Sequence, residues 1–109
     1  MAELGKGPGA RLDYEISEDG EGCPVVKVRG ELDMTTAPRL ESAVATLLEA
    51  GPACLVIDAS ELEFADSSGI ALLVRWANRV SKVEIRQPPE LLRRVIARMG
   101  LSSRLVVSP

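Results

Sequence analysis

A chain of 109 residues that is 46% hydrophobic and has only three aromatics suits one domain with an aliphatic core. Sixteen acidic residues outnumber thirteen basic ones, for a net charge of −3, which argues against a nucleic-acid partner because phosphate binding needs a basic face. With no histidine and two distant cysteines, the sequence offers neither a Ser-His-Asp triad nor zinc-ligand spacing.

Residues 1–10, "MAELGKGPGA", are rich in Gly and Ala and read as a flexible tail ahead of a domain spanning 11–109. They contain no apolar core of the kind a signal peptide carries. No apolar run approaches the ~20 residues of a membrane span. The expected setting is therefore cytoplasmic, without membrane insertion.

Leu12 to Ile16 alternates apolar and charged residues and predicts a strand. "SEDGEG" is turn chemistry, and Pro24 to Arg29 predicts a second strand, with Val26 and Val28 on one face and Lys27 and Arg29 on the other. The two strands form a hairpin. "GELDMTTAPRL" reads as a loop entering a helix that Thr35 or Thr36 caps, with Pro38 in its first turn. Leu40, Ala43, Val44, Leu47 and Leu48 mark one helical face, and Gly51-Pro52 ends it. Ala53 to Ile57 is a continuous apolar run, expected as a central strand covered on both faces. Cys54 lies within it and reads as a buried free thiol, with Cys23 the accessible one, since nothing else indicates secretion.

The stretch 58–66 is expected as a loop whose Leu62 and Phe64 fold back onto the core. A second helix is predicted from Ser67 to about Val80, its inner stripe Ile70, Leu73, Val74 and Ala77, widened by Leu72 and Trp76. Lys82 to Gln87 predicts a strand. Pro89 opens a third helix with Leu92, Ile96 and Met99 inward and Leu91 and Val95 beside them. Gly100 suits a left-handed C′ position, with Leu101 touching Ile96. Arg104 to Val107 predicts a last strand. The order β-β-α-β-α-β-α-β implies an α/β domain with a mixed, mostly parallel sheet and helical crossovers.

The chemistry concentrates in "FADSSGIALL" (64–73). Read structurally, Asp66 or Ser67 is an N-cap. Gly69 in the first turn weakens that as a full account, because Gly there costs up to ~1 kcal/mol relative to Ala. It implies a close approach to the backbone. Asp33 follows the second strand and Ser67 the third. If those strands are parallel neighbours, both residues stand at the carboxyl edge of the sheet, where ligands of such sheets bind. "ADSSG" lacks the glycine two before the serine of a nucleophile elbow, and no Gly-rich phosphate loop follows a strand. The reading is of a protein that is not an enzyme, with no catalytic residues, no metal and no cofactor.

"GELDMTTAPRL" (30–40), "IDASELEFADSSGIALLV" (57–74) and "RRVIARMGL" (93–101) together resemble the STAS domain, most closely that of bacterial anti-sigma-factor antagonists, over residues 12–107. The resemblance implies a binding module switched by phosphorylation. Its partner would be an anti-sigma factor with serine kinase activity, which phosphorylates the first serine after the Asp, here Ser67. A phosphatase would reset the switch. Asp33, Asp66, Ser68 and Gly69 would belong to the partner surface. The alternative is a STAS subunit of a bacterial lipid-transport complex, which binds an ABC-type ATPase.

Overall fold

The computed structural model describes residues 12–100 and 103–109. The predicted tail and Leu101 lie outside the described residues. The elements are β1 (Leu12–Glu18), β2 (Pro24–Leu32), α1 (Ala37–Leu48), β3 (Cys54–Ala65), α2 (Ser67–Ala77), β4 (Lys82–Arg86), α3 (Glu90–Arg98) and β5 (Leu105–Ser108). This is the expected order. The five strands lie side by side in chain order, β1 antiparallel to β2 and each later pair parallel. Right-handed crossovers that always step the same way put every helix on one face. Gly100, at φ 72°, is the left-handed residue after α3, as its sequence position implies.

One core joins Val26 and Val28 of β2, Leu55, Ile57 and Ala59 of β3, and Val83 and Ile85 of β4 to the buried stripes of all three helices. Leu55, Ile57, Leu73 and Val83 are buried as expected. The stripe of α2 is rotated from the predicted one. Gly69, Leu72, Leu73, Trp76 and Ala77 are buried, while Ile70 and Val74 are half-exposed. Gly69, seated against Leu32, belongs to this buried face.

β3 departs most from expectation. The strand continues to Ala65, and the 58–66 stretch is not a loop. Its pairing with β2 shifts register between Lys27 and Arg29 and again between Gly30 and Glu31. Each shift inserts an extra β3 residue, and such bulges break the period-2 pattern by which a strand is recognised. Over Leu55, Val56 and Ile57 the strand is buried on both faces as expected, Val56 being 2% exposed on the side away from the helices; the coverage ends beyond Ile57. There the helix-free side carries charge, with Arg29 paired to Glu15 and to Glu61 at 3.0 Å, and Lys27 to Glu61 at 3.3 Å.

The cysteines also differ from expectation. Cys23 and Cys54 form a disulfide, with Cα atoms 5.5 Å apart. Val25 pairs with Val56, so two positions earlier the parallel register brings Cys23 beside Cys54. Cys54 is neither free nor fully buried. No helix among the described residues is long and apolar enough to cross a membrane.

Candidate phosphoacceptor site at the sheet edge

β2 and β3 run parallel, and their last paired residues are Leu32 and Ala65. Asp33 and Asp66 therefore leave the same edge of the sheet side by side. The Asp66 N–H donates to the Leu32 carbonyl at 3.0 Å, which fastens the start of α2 to the end of β2. This is the rim the sequence implied.

Asp66 is the N-cap of α2. Its Oδ1 accepts from the backbone N–H of Ser68 at 2.8 Å and of Gly69 at 3.2 Å. These donors would otherwise be orphaned in the first turn. Ser67 is thereby the first helical residue. It is exposed, and its hydroxyl takes no hydrogen bond among the described residues. Ser68 is half-buried beside it.

Gly69 is buried, and its neighbour is internal. A Cβ there would stand 2.8 Å from Leu32 Cγ and 2.9 Å from the Leu32 carbonyl oxygen. The close approach inferred from the sequence is thus made by the end of β2. Gly69→Ala adds overpacking of ~1–3 kcal/mol, only partly offset by up to ~1 kcal/mol of helix propensity. A net loss of stability in a urea melt is the expected outcome. Stability at or above wild type would show that the strand end yields freely.

Asp33 organises the loop between β2 and α1. Its Oδ1 accepts from the Thr35 hydroxyl at 2.7 Å, the Thr35 N–H at 2.9 Å and the Thr36 N–H at 3.1 Å. Thr36 is the residue before α1, yet its hydroxyl does not cap the helix. It is buried, donates to the Glu31 carbonyl at 2.8 Å and accepts from the Asp33 N–H at 2.9 Å. The Asp33 carboxyl is held below its ordinary range, chiefly by the Thr35 hydroxyl; burial opposes this, and the Thr35 and Thr36 N–H groups outweigh it together with that hydroxyl. A depressed folded pKa stabilises above the unfolded value, near 3.8, and that contribution is lost as pH falls through the folded pKa. Asp33→Ala should therefore cost ~0.5–2 kcal/mol at neutral pH, a loss of the size seen when a short side chain that accepts local backbone N–H groups is removed, and flatten the acid limb of the stability profile. An unchanged acid limb would contradict the assignment. Asp33→Asn keeps the acceptor oxygen, so it separates charge from loop support.

Sequence reasoning missed the apolar border of this edge. Leu62 folds inward as expected, but Phe64 does not and is 48% exposed. Met34 and Leu91 are also exposed. The bulge at Glu63 is the reason for Phe64: alternation would point it to the Leu62 side, and the extra residue turns it out. The arrangement offers a free hydroxyl, carboxylates already used as caps and exposed apolar side chains. No group of three or more His, Cys, Asp or Glu among the described residues could hold a metal ion.

A family model described as "Mlab, STAS domain" matches residues 17–107. The anti-sigma-F factor antagonist RsfB of Mycobacterium tuberculosis is 34% identical over 86 residues, covering 76% of this chain and 70% of that protein. The crystal structure of an anti-sigma factor antagonist from Mycobacterium paratuberculosis superposes with a TM-score of 0.78 at 33% identity, over 91% of this chain and 86% of that one. The Bacillus cell fate determinant SpoIIAA in its phosphorylated form shares the fold, with a TM-score of 0.72 at 18% identity over 89% of this chain and 92% of that one.

Proposed function

Since the chain belongs to the STAS domain family, we propose that it is an anti-sigma-factor antagonist whose binding is switched by phosphorylation of Ser67. The unphosphorylated chain sequesters an anti-sigma factor with serine kinase activity and so releases a sigma factor. A phosphatase restores the hydroxyl. The observation that carries the acceptor assignment is the free, exposed Ser67 hydroxyl at the first position of a helix whose neighbouring amides are already capped.

The kinase brings the γ-phosphate of Mg-ATP to Ser67 Oγ. A new P–O bond forms as the bond to ADP breaks, and the hydroxyl proton passes to a base on the kinase. This chain supplies position only. Phosphoserine adds about −1.5 to −2 charges. A helix N-terminus commonly receives such charge through its free amides, but here Asp66 occupies those of Ser68 and Gly69. The phosphate is therefore left projecting into the interface, at the sheet edge that also carries Asp33 and Asp66. A dianion ~6 Å from one carboxylate, at an effective dielectric of about 40, meets roughly 3 kcal/mol of repulsion before salt screening. The nucleotide phosphates retained by the kinase add to it. A loss of 2–3 kcal/mol lowers affinity by about a hundredfold. The fold itself need not change.

The test is retention of an ATPase from the host lysate by immobilised wild type and Ser67→Glu. A kinase-like ATPase held by wild type and not by Ser67→Glu supports the reading. An ABC-type ATPase held equally by both would favour a lipid-transport subunit.

A further inference from the structure

We infer that the apolar groove between the end of β3 and α3 is the anchoring half of the same partner surface, and that it receives a large apolar side chain from a segment of the kinase flanked by Lys or Arg. The inference rests on the reading under Proposed function. The groove is lined by Phe64, Ile70, Pro89, Leu91 and Val95, with Glu63 at its border, and encloses about 160 Å³. A cavity of about that volume accommodates a benzene ring, so it suits one Phe, Leu or Met side chain.

The groove adjoins the phosphoacceptor through α2, and its walls are apolar and exposed. Ile70 stands three residues after Ser67 in α2, on the same side of the helix. A protein seated on Ser67 thus also meets the groove. Phe64 and Leu91 are 48% and 67% exposed on its two walls, and Phe64 is there because a bulge turns it outward. Large apolar side chains concentrated beside a candidate site mark an interaction surface.

Charge selects the occupant. Glu31, Asp33, Glu63 and Asp66 have no basic partner among the described residues, whereas Glu90 on α3 is paired with Arg94 at 3.3 Å. Glu63 lines the groove and the other three lie along the adjoining sheet edge, so this side of the surface complements a basic flank on the incoming segment. It disfavours a second copy, which would bring the same carboxylates and another net charge of −3.

The experiment uses the purified ATPase that wild type retains and Ser67→Glu does not. Its affinity is measured by calorimetry for wild type, Leu91→Glu, Phe64→Ser and Glu63→Lys, each first shown to melt like wild type. These side chains are exposed, so the fold should hold. Leu91→Glu and Phe64→Ser should each weaken binding at least tenfold, and Glu63→Lys severalfold with a flatter salt dependence. Affinities within twofold of wild type for both Leu91→Glu and Phe64→Ser would overturn the groove assignment while leaving the Ser67 switch standing. If no ATPase distinguishes Ser67→Glu from wild type, the functional reading fails and this inference with it. A self-association in sedimentation that Leu91→Glu abolishes would give the groove to a second copy and also overturn it.

Discussion

Leu73→Ala is expected to remove about 2–5 kcal/mol of stability, the range for a large-to-small change in a packed core. Leu73 is 2% exposed and borders a narrow void of about 10 Å³ shared with Val28, Leu40, Ile57 and Ile85. The void is lined wholly by apolar side chains, so the larger cavity the mutation leaves stays dry. The surrounding strands are paired on both sides and resist collapse. A domain of this size has only about 5–15 kcal/mol in total. Urea melts should show a lower midpoint with an unchanged slope. A loss below about half a kilocalorie would place Leu73 outside the core and overturn the orientation of α2.

Breaking the Cys23–Cys54 disulfide is expected to cost a comparable amount. The bridge closes a loop with a sequence separation of 31, for which chain-entropy arguments give roughly 3–4 kcal/mol. The loop contains β2 and α1, so the unfolded chain gains freedom over about a quarter of its length. In the folded state the bridge also braces the β1–β2 turn. There Asp19 Oδ1 accepts from the N–H of Cys23 at 2.9 Å and of Glu21 at 2.8 Å. Oxidised protein should melt well above the same protein in dithiothreitol, and Cys23→Ser should reproduce the reduced value in either buffer. Equal melts with and without reductant would contradict the bridge.

What could be read from the sequence follows from the range of the interactions involved. Helix faces and the β2 alternation are local patterns, and Leu40, Val44, Val26 and Val28 went where their spacing put them. Asp66 as N-cap is equally local. The second half of β3 was hidden because its two bulges set Glu61, Glu63 and Phe64 out of phase. The disulfide was hidden because the crossover through α1, not any local signal, places Cys54 beside Cys23. Gly69 was legible as a position of close approach, but its neighbour Leu32 lies 37 positions earlier (69 minus 32). Thr36 stands at the N-cap position of α1, one of the two the sequence offered, but its hydroxyl bonds back to the Asp33 N–H and the Glu31 carbonyl, because short polar side chains compete for nearby backbone groups.

The central claim is that Ser67 is acted upon by a kinase partner. The most direct measurement is the intact mass of the protein after incubation with its ATPase partner and Mg-ATP, compared across wild type, Ser67→Ala and Ser68→Ala. Wild type and Ser68→Ala should each gain one phosphoryl group, mapped to Ser67, and Ser67→Ala should gain none. Equal phosphate incorporation in Ser67→Ala, or none in wild type with a partner that binds it, would contradict the account and leave Ser67 as the first residue of an ordinary capped helix.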